Sequence, residues 1–372
     1  RGRRAVQAVA EPDPDRARQR DDTDCAAWDI VQVRVGYRVS IAPRSLPAAM
    51  SVRLSPVTLL YLTLPPLMWA SNAIVGRLSV AGGEPLISPL TLNAARWVVT
   101  LLILAGIASL VPRRGQPPGP SSSGSDAAGA DRASAPRRPA AWRIYAVFGL
   151  LAVASYNALQ YVALRTSSAI NVTLIASGGP LFVLLIGRLL FGAHARRWAW
   201  IGASLSLVGV LVVLTGGEIE RLAALGLASG DLLMVVATIV WALYSWLLRR
   251  WRPAVPVLTL LLMQTAWGVA FSLPVVALEW LSGDFLLRLD ARTAGIVLWV
   301  ALGPSLLAYW CWDHGIARAG PVLPSFFANL TPLFAALMSA ALLGEPPRAF
   351  HVLAFALIVG GIAISQRGAR VH

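Results

Sequence analysis

Apolar residues in this chain come in long uninterrupted blocks, not at the 3.6-residue or two-residue period of a half-buried helix or strand. The blocks run over 57–79, 86–111, 144–164, 168–191, 198–217, 231–248, 254–281, 293–316, 319–344 and 349–366. A helix of about 20 apolar residues is long enough to cross hydrocarbon. Ile144–Leu164 and Ala319–Gly344 carry no charge at all. Lipid offers no partner for a free backbone N–H, so only helices or closed barrels span it. A barrel would show alternating segments of about ten residues. The pattern therefore predicts an all-α membrane protein with ten transmembrane helices.

The blocks also repeat. "GGPLFVLLIGRLLFG" (Gly178–Gly192) returns as "LTPLFAALMSAALLG" (Leu330–Gly344), at an offset of 152. Without a gap, residues 180–213 match 332–365 at nine of 34 positions, among them Pro180/Pro332, Phe182/Phe334, Gly192/Gly344 and Gly209/Gly361. A shorter echo pairs "WASNAIVGR" (Trp69–Arg77) with "WALYSWLLR" (Trp241–Arg249). The expected organisation is two five-helix repeats, over 55–217 and 229–366. Five is odd, so the second copy is expected upside down relative to the first. Inverted repeats around a midplane site are the sequence mark of secondary transporters. Between spans two and three lies a Pro-, Gly-, Ser- and Ala-rich linker, 112–141, of the flexible kind.

Composition sharpens this. The chain is 56% hydrophobic and 13% charged, against about 25% charged in a soluble domain. Every basic residue is Arg. A P-loop needs Gly-Lys-[Ser/Thr], so that route to ATP hydrolysis is closed. A net charge of +14 would suggest nucleic acid in a soluble protein. Here Arg in the loops sets orientation instead, and no nucleic-acid partner is expected. With the N-terminus inside, the inner loops hold Arg113, Arg114, Arg132, Arg137, Arg138, Arg143, Arg196, Arg197, Arg249, Arg250, Arg252, Arg318, Arg367 and Arg370, which makes 14. The outer loops hold Arg77, Arg165, Arg221, Arg288, Arg292 and Arg348, which makes six. Both termini, including the 367–372 tail, are expected in the cytoplasm.

Cys25 and Cys311 give no disulfide framework, and the four histidines form no ligand cluster, so neither metal nor cofactor is expected. Residues 1–49 lack the apolar core of a signal peptide. They read as a disordered extension, or as sequence upstream of a natural start at Met50.

Polar residues inside the spans are the candidates for chemistry. Arg188 lies about one turn, roughly 6 Å, from the span end at Gly192 and can snorkel to the interface. Arg96 lies deeper, where a charge costs about 2.5–3.5 kcal/mol on the lenient scale. It is expected to be either a substrate group or a tether between helices. Trp69, Ser71 and Asn72 in span one, and Trp241 and Tyr244 in span six, hold related mid-depth places, where flat faces pack a core or stack on a ligand. Tyr156, Asn157 and Gln160 share a face of span three. The offset maps Asn157 and Gln160 onto Tyr309 and Trp312 in span eight. Asn329, an amide in span nine, joins the cavity candidates. Sequons at Asn171 and Asn329 lie within spans and are discounted as glycan sites. Asp313 is expected to pair near the interface with Arg318 or His314, with proton carriage as the alternative.

At these residues the chain resembles the EamA-type permeases of the drug/metabolite transporter superfamily. The resemblance is carried by "LMWASNAIVGR" (67–77), "LTLNAARWVV" (90–99), "GDLLMVVATIVWALYSWLLRR" (230–250), "LLAYWCWDHGIARAG" (306–320) and "TPLFAALMSAALLGEP" (331–346), and spans residues 57–366. It implies two inverted five-helix halves around a central cavity in the bacterial inner membrane. It also implies export or exchange of small metabolites without ATP, and the first reading of the chain is a secondary transporter, an exporter, of a small polar metabolite such as an amino acid. Two positions depart from the family pattern. The first half reads Gly192–Ala193 where the second keeps Gly344–Glu345, and Asp313 stands where the family often has Asn. The competing readings are a lipid-carrier flippase, a structural subunit and a membrane enzyme. An enzyme would need convergent acids or a metal set that these spans lack. The partners expected are a small-molecule substrate and the lipid bilayer, with a homodimer left open.

The Arg asymmetry makes one direct prediction. A cysteine placed in the 112–141 linker should react with impermeant thiol reagents only from the cytoplasmic side, and labelling from outside would overturn the topology.

Overall fold

Prolines open the first helices. Pro56 begins α1 (Pro56–Val80) and Pro89 begins α2 (Pro89–Leu110), where a missing N–H costs nothing and the fixed φ suits the helix. A computed structural model describes residues 55–80, 86–110, 141–218, 220, 226, 228–343 and 348–367, with the backbone alone at 72–80, 141, 169, 170 and 343. The 1–49 extension, residues 112–140 of the linker and the Gly344–Glu345 pair lie outside it.

The described residues are overwhelmingly helical. α3 (Ala141–Phe148) runs through a π-helical stretch, Gly149–Ser155, into α4 (Tyr156–Ala163). α5 (Ala169–Ser177) and α6 (Gly179–Phe191) form one bent pair, at 45°. α7 (Arg197–Thr215), α8 (Ser229–Arg250) and α9 (Val257–Leu281) follow. α10 (Ala291–Val300) passes through a second π-helical stretch, Ala301–Leu307, into α11 (Ala308–Ala319). α12 (Val322–Ala328), α13 (Thr331–Leu343) and α14 (Ala349–Ser365) complete the order. Among the described residues, seven helices are long and apolar enough to cross a membrane, or eight with the bent pair counted as one. Their outer faces leave Leu102, Leu189 and Leu232 more than half exposed, which suits lipid and not water.

Local chemistry sets the ends. Gly192 and Gly216 close α6 and α7 in the left-handed region, at φ 62° and 66°, where a side chain would be strained. Ser168 accepts the Asn171 N–H at 3.1 Å and caps α5. Asp290 caps α10 by accepting the Thr293 N–H at 2.6 Å, and that bond holds its carboxyl below the usual range. α2 takes its cap from another helix. Glu279 of α9 accepts from Thr91 N (2.9 Å), Leu90 N (3.3 Å), Thr91 Oγ1 (2.8 Å) and Ser88 Oγ (2.8 Å). A carboxylate 3% exposed is thereby matched to the positive end of a helix dipole.

The element boundaries follow the sequence offset. The π-helical stretches begin at 149 and 301 and end at 155 and 307, each pair 152 apart. α6 and α13 span 179–191 and 331–343, again 152 apart at both ends. α7 and α14 pack closely through glycines. A methyl on Gly361 would stand 2.6 Å from the Gly202 carbonyl oxygen, and one on Gly209 would stand 2.9 Å from that of Ala354. The pairs 202/361 and 209/354 run in opposite directions, so the two helices are antiparallel. They also exchange under the offset, because 202 maps to 354 and 209 to 361.

Contacts sort the loops into two ends. Arg165 pairs with Asp284 (2.9 Å) and Glu279 (3.5 Å), while Ser88 N donates to Leu286 O, beside an isolated Ile87–Leu287 bridge. At the other end Arg318 lies over the Tyr61 ring (4.5 Å) and Arg249 donates to Ala317 O. Arg188 is exposed near the end of α6, a placement that fits snorkelling.

Gly361→Ala should cost about 1–3 kcal/mol by overpacking. Gly106→Ala, which meets nothing within 4 Å, should be neutral or stabilise by about 0.5–1 kcal/mol. Thermal unfolding in detergent separates the two. Equal melting temperatures would contradict the α7–α14 packing.

Candidate functional site

The two π-helical stretches build the site. A π turn leaves carbonyls out of the regular ladder, and aromatic side chains use them. The Tyr309 hydroxyl donates to Ala152 O at 2.8 Å, in the first stretch. Trp69 Nε1 donates to Pro304 O at 3.2 Å, in the second. Pro304 has no N–H to give to Val300 O, and Ser305 Oγ supplies that donor at 2.9 Å.

Held this way, the aromatics converge. The Trp241 ring of α8 contacts Tyr156 (4.9 Å between centroids), Trp312 (5.2 Å), Tyr244 (5.4 Å), Trp69 (5.6 Å) and Tyr309 (5.6 Å). Trp69 also meets Trp312 at 5.4 Å. Trp69, Tyr156 and Trp241 remain only half-buried, whereas Tyr244, Tyr309 and Trp312 are buried. α2 closes one side, where Trp97 meets Tyr309 edge-on at 4.9 Å. The Arg96 guanidinium lies 5.1 Å from the centre of the Trp97 ring, a cation–π distance.

The polar atoms around this cage are short of partners. Arg96 is 2% exposed. Among the described residues, its Nε, Asn93 Oδ1, the indole Nε1 of Trp97 and Trp312, Gln264 Nε2 and Asp313 Oδ2 are buried without a hydrogen bond. Buried polar atoms are normally satisfied, and exceptions call for a reason. Five of these residues lie in or beside the cage through Trp97, Trp312 and Tyr244, and the sixth, Asn93, stands one turn before Trp97. The arrangement can stack a flat ligand, donate from indoles and grip an oxyanion with a guanidinium fork.

Six of the residues expected from sequence meet here: Trp69, Tyr156, Trp241, Tyr244, Tyr309 and Trp312. Asn157 is buried against Tyr309. Arg96 reaches the cage through Trp97. Gln160 is half-buried, outside the ring contacts. Asn329 lies elsewhere, 2% exposed, with its Nδ2 donating to Ser206 Oγ of α7 at 3.0 Å. It tethers the α12–α13 break. The Asn72 side chain lies outside the described residues. Ser71 accepts from Trp299 Nε1 at 3.0 Å.

Asp313 corrects an expectation. It is fully buried and, among the described residues, forms no ion pair with Arg318 or His314. Its Oδ1 accepts from the Tyr244 hydroxyl at 3.1 Å. His314 stacks on Tyr61 at 4.9 Å, and Arg318 donates to its carbonyl. Side chains three or four apart on a helix share a face, and Asp313 turns inward while Arg318 turns out.

Sequence reasoning missed Trp97 and Gln264. Gln264 was detectable as the lone amide in "LTLLLMQTAW" (258–267). Trp97 was hidden, since one Trp in an apolar span reads as packing. The buried Asp231 network, with Ser167, Asn171 Nδ2 (3.1 Å) and Ala228 N (2.8 Å), caps α8 and belongs to the scaffold.

The model of the EamA-like transporter family matches residues 57–215 and 228–366. The uncharacterized transporter YyaM of Bacillus subtilis is 29% identical over 228 residues, 61% of this chain and 74% of that protein. The uncharacterized inner membrane transporter YedA of Escherichia coli K12 is 26% identical over 226 residues, 60% of this chain and 70% of that one. The aromatic amino acid exporter YddG of Ancylobacter novellus is 27% identical over 241 residues, 62% and 77%. A crystal structure 23% identical overlays with a TM-score of 0.62, covering 84% of this chain and 97% of its own, which is a likeness of fold.

Proposed function

The chain belongs to the EamA-like transporter family, and we propose that it is a secondary carrier that exports a small polar metabolite, an amino acid or a related compound, by alternating access without ATP. The observation that carries the reading is the Trp241 cage, with a buried guanidinium and unpartnered polar atoms around it. Flat aromatic walls favour a flat side chain, and Arg96 favours a carboxylate. Export is the direction named for one relative, the aromatic amino acid exporter, and the cage gives a physical reason to try such compounds first.

Alternating access needs two halves that can exchange roles. We read the chain as ten membrane helices in two inverted repeats of five. The shared offset of the π-helical stretches supports this, as does the antiparallel α7–α14 pair with its exchanging contacts. The cage fits the same reading. Trp69 and Trp241, corresponding residues of the two copies, touch at 5.6 Å, and Asn157 touches its counterpart Tyr309. Corresponding residues can meet only near the axis that relates the copies. The cage would then sit on that axis, where a carrier holds its substrate.

Proteoliposomes loaded with labelled L-phenylalanine provide the test, followed by a panel of other amino acids. Trp241→Ala removes the hub of five ring contacts, each worth about 0.5–1.5 kcal/mol, and should lower transport at least about tenfold. Arg96→Lys keeps the charge but loses the fork. A charged hydrogen bond is worth about 1.5–3 kcal/mol, so apparent affinity should fall roughly tenfold or more while folded protein is retained. An Arg96→Leu variant transporting at the wild-type rate would eliminate the assigned role.

A further inference from the structure

We infer that Asp313 binds the proton that drives export, so that one proton entering is exchanged for one substrate molecule leaving. The inference rests on the carrier reading above and adds its energy source.

Asp313 is fully buried, six residues before the end of α11, and no cation lies within ion-pair distance among the described residues. A carboxylate in such a place is destabilised unless it gains a proton or a counter-ion. One oxygen is engaged, Oδ1, by the Tyr244 hydroxyl at 3.1 Å. The other, Oδ2, is buried and unpartnered, which is the atom a proton would take.

The groups facing it come from four sides. From α8, Tyr244 supplies the hydroxyl. From α9, Gln264 is 0% exposed, with Oε1 3.5 Å from that hydroxyl and Nε2 unpartnered. After α8, Arg252 donates to the main-chain carbonyl of Asp313 at 3.1 Å. On α11 itself, Tyr309 stands one turn before Asp313 with its hydroxyl donated to Ala152 O, His314 is turned away onto Tyr61 and Trp310, and Arg318 lies over Tyr61. No other acidic side chain is paired into this cluster among the described residues.

Tyr244 makes the link to substrate. Its ring packs against Trp241 at 5.4 Å and Phe148 at 5.7 Å, while its hydroxyl serves two acceptors with one proton. When Asp313 is ionised, the hydroxyl donates to it. When Asp313 is protonated, the hydroxyl is released to Gln264. A proton arriving at Asp313 thus re-directs a bond on a residue that walls the cage. In the cycle, the carboxylate takes a proton from outside as substrate leaves, and gives it up inside before the next substrate binds. No covalent bond changes, and one proton crosses inward for each molecule crossing outward.

The test uses the full chain in two assays. Infrared difference spectra between acid and alkaline buffer should show a protonated-carboxyl band that titrates in the wild type and is missing in Asp313→Asn. In proteoliposomes, an imposed pH gradient should raise wild-type L-phenylalanine flux several-fold over gradient-free flux. That ratio should fall to one in Asp313→Asn, and it does not depend on how much protein folds. Tyr244→Phe should keep the band but shift its titration. A band unchanged in Asp313→Asn, or a gradient response that survives the substitution, would overturn the proposal. A wild type that carries no amino acid in the panel would count against the carrier reading, and the infrared result would still decide whether Asp313 takes the proton.

Discussion

Arg96 is a buried cation without an acidic partner among the described residues, and the rest of the site is arranged around that cost. An unpaired charge in a low-dielectric interior is worth several kcal/mol of instability. Three features reduce it here. The Trp97 ring offers its negative face at 5.1 Å. The rings of Trp69, Tyr156 and Trp241 in the same cluster are only half-buried. An anionic ligand would supply the remainder. A folded chain that leaves this much polarity unsatisfied in one place has left binding energy for something else.

The scaffold explains how such a place is tolerated. The π-helical stretches at 149–155 and 301–307 free backbone carbonyls inside the spans, and Tyr309, Trp69 and Ser305 take them up. The backbone irregularity that would be costly against lipid is thus spent on positioning aromatic rings. At one end, Glu279 caps α2 across the interhelix gap and Arg165 covers Glu279 from outside. α7 and α14 sit backbone to backbone through glycines. The region around the cage is held by ring contacts instead.

Much of this was legible in the chain. Apolar blocks located the helices to within a few residues, because lipid forbids other backbones. The Pro-Leu-Phe…Gly offset anticipated element boundaries that repeat at 152. Six aromatic candidates proved to be neighbours, gathered around Trp241. What could not be read was direction. Asn329 looked like a cavity amide, but the α12–α13 break turns it toward Ser206. Asp313 looked interfacial by its distance from the helix end, but its helical face points inward, toward Tyr244. Gln264 and Trp97 were passed over because depth and facing depend on how helices cross, which a one-dimensional pattern does not encode.

If the Trp241 cage is the proposed ligand site, it is wet and not a closed aromatic core. Cysteine labelling decides it most directly. With Cys25 and Cys311 replaced, a single Tyr156→Cys substitution puts a thiol against Trp241. A water-soluble thiol reagent should modify it in membranes, and L-phenylalanine should slow the reaction several-fold. A thiol that is inert in the folded protein, or one whose labelling no amino acid in the panel slows, would contradict it.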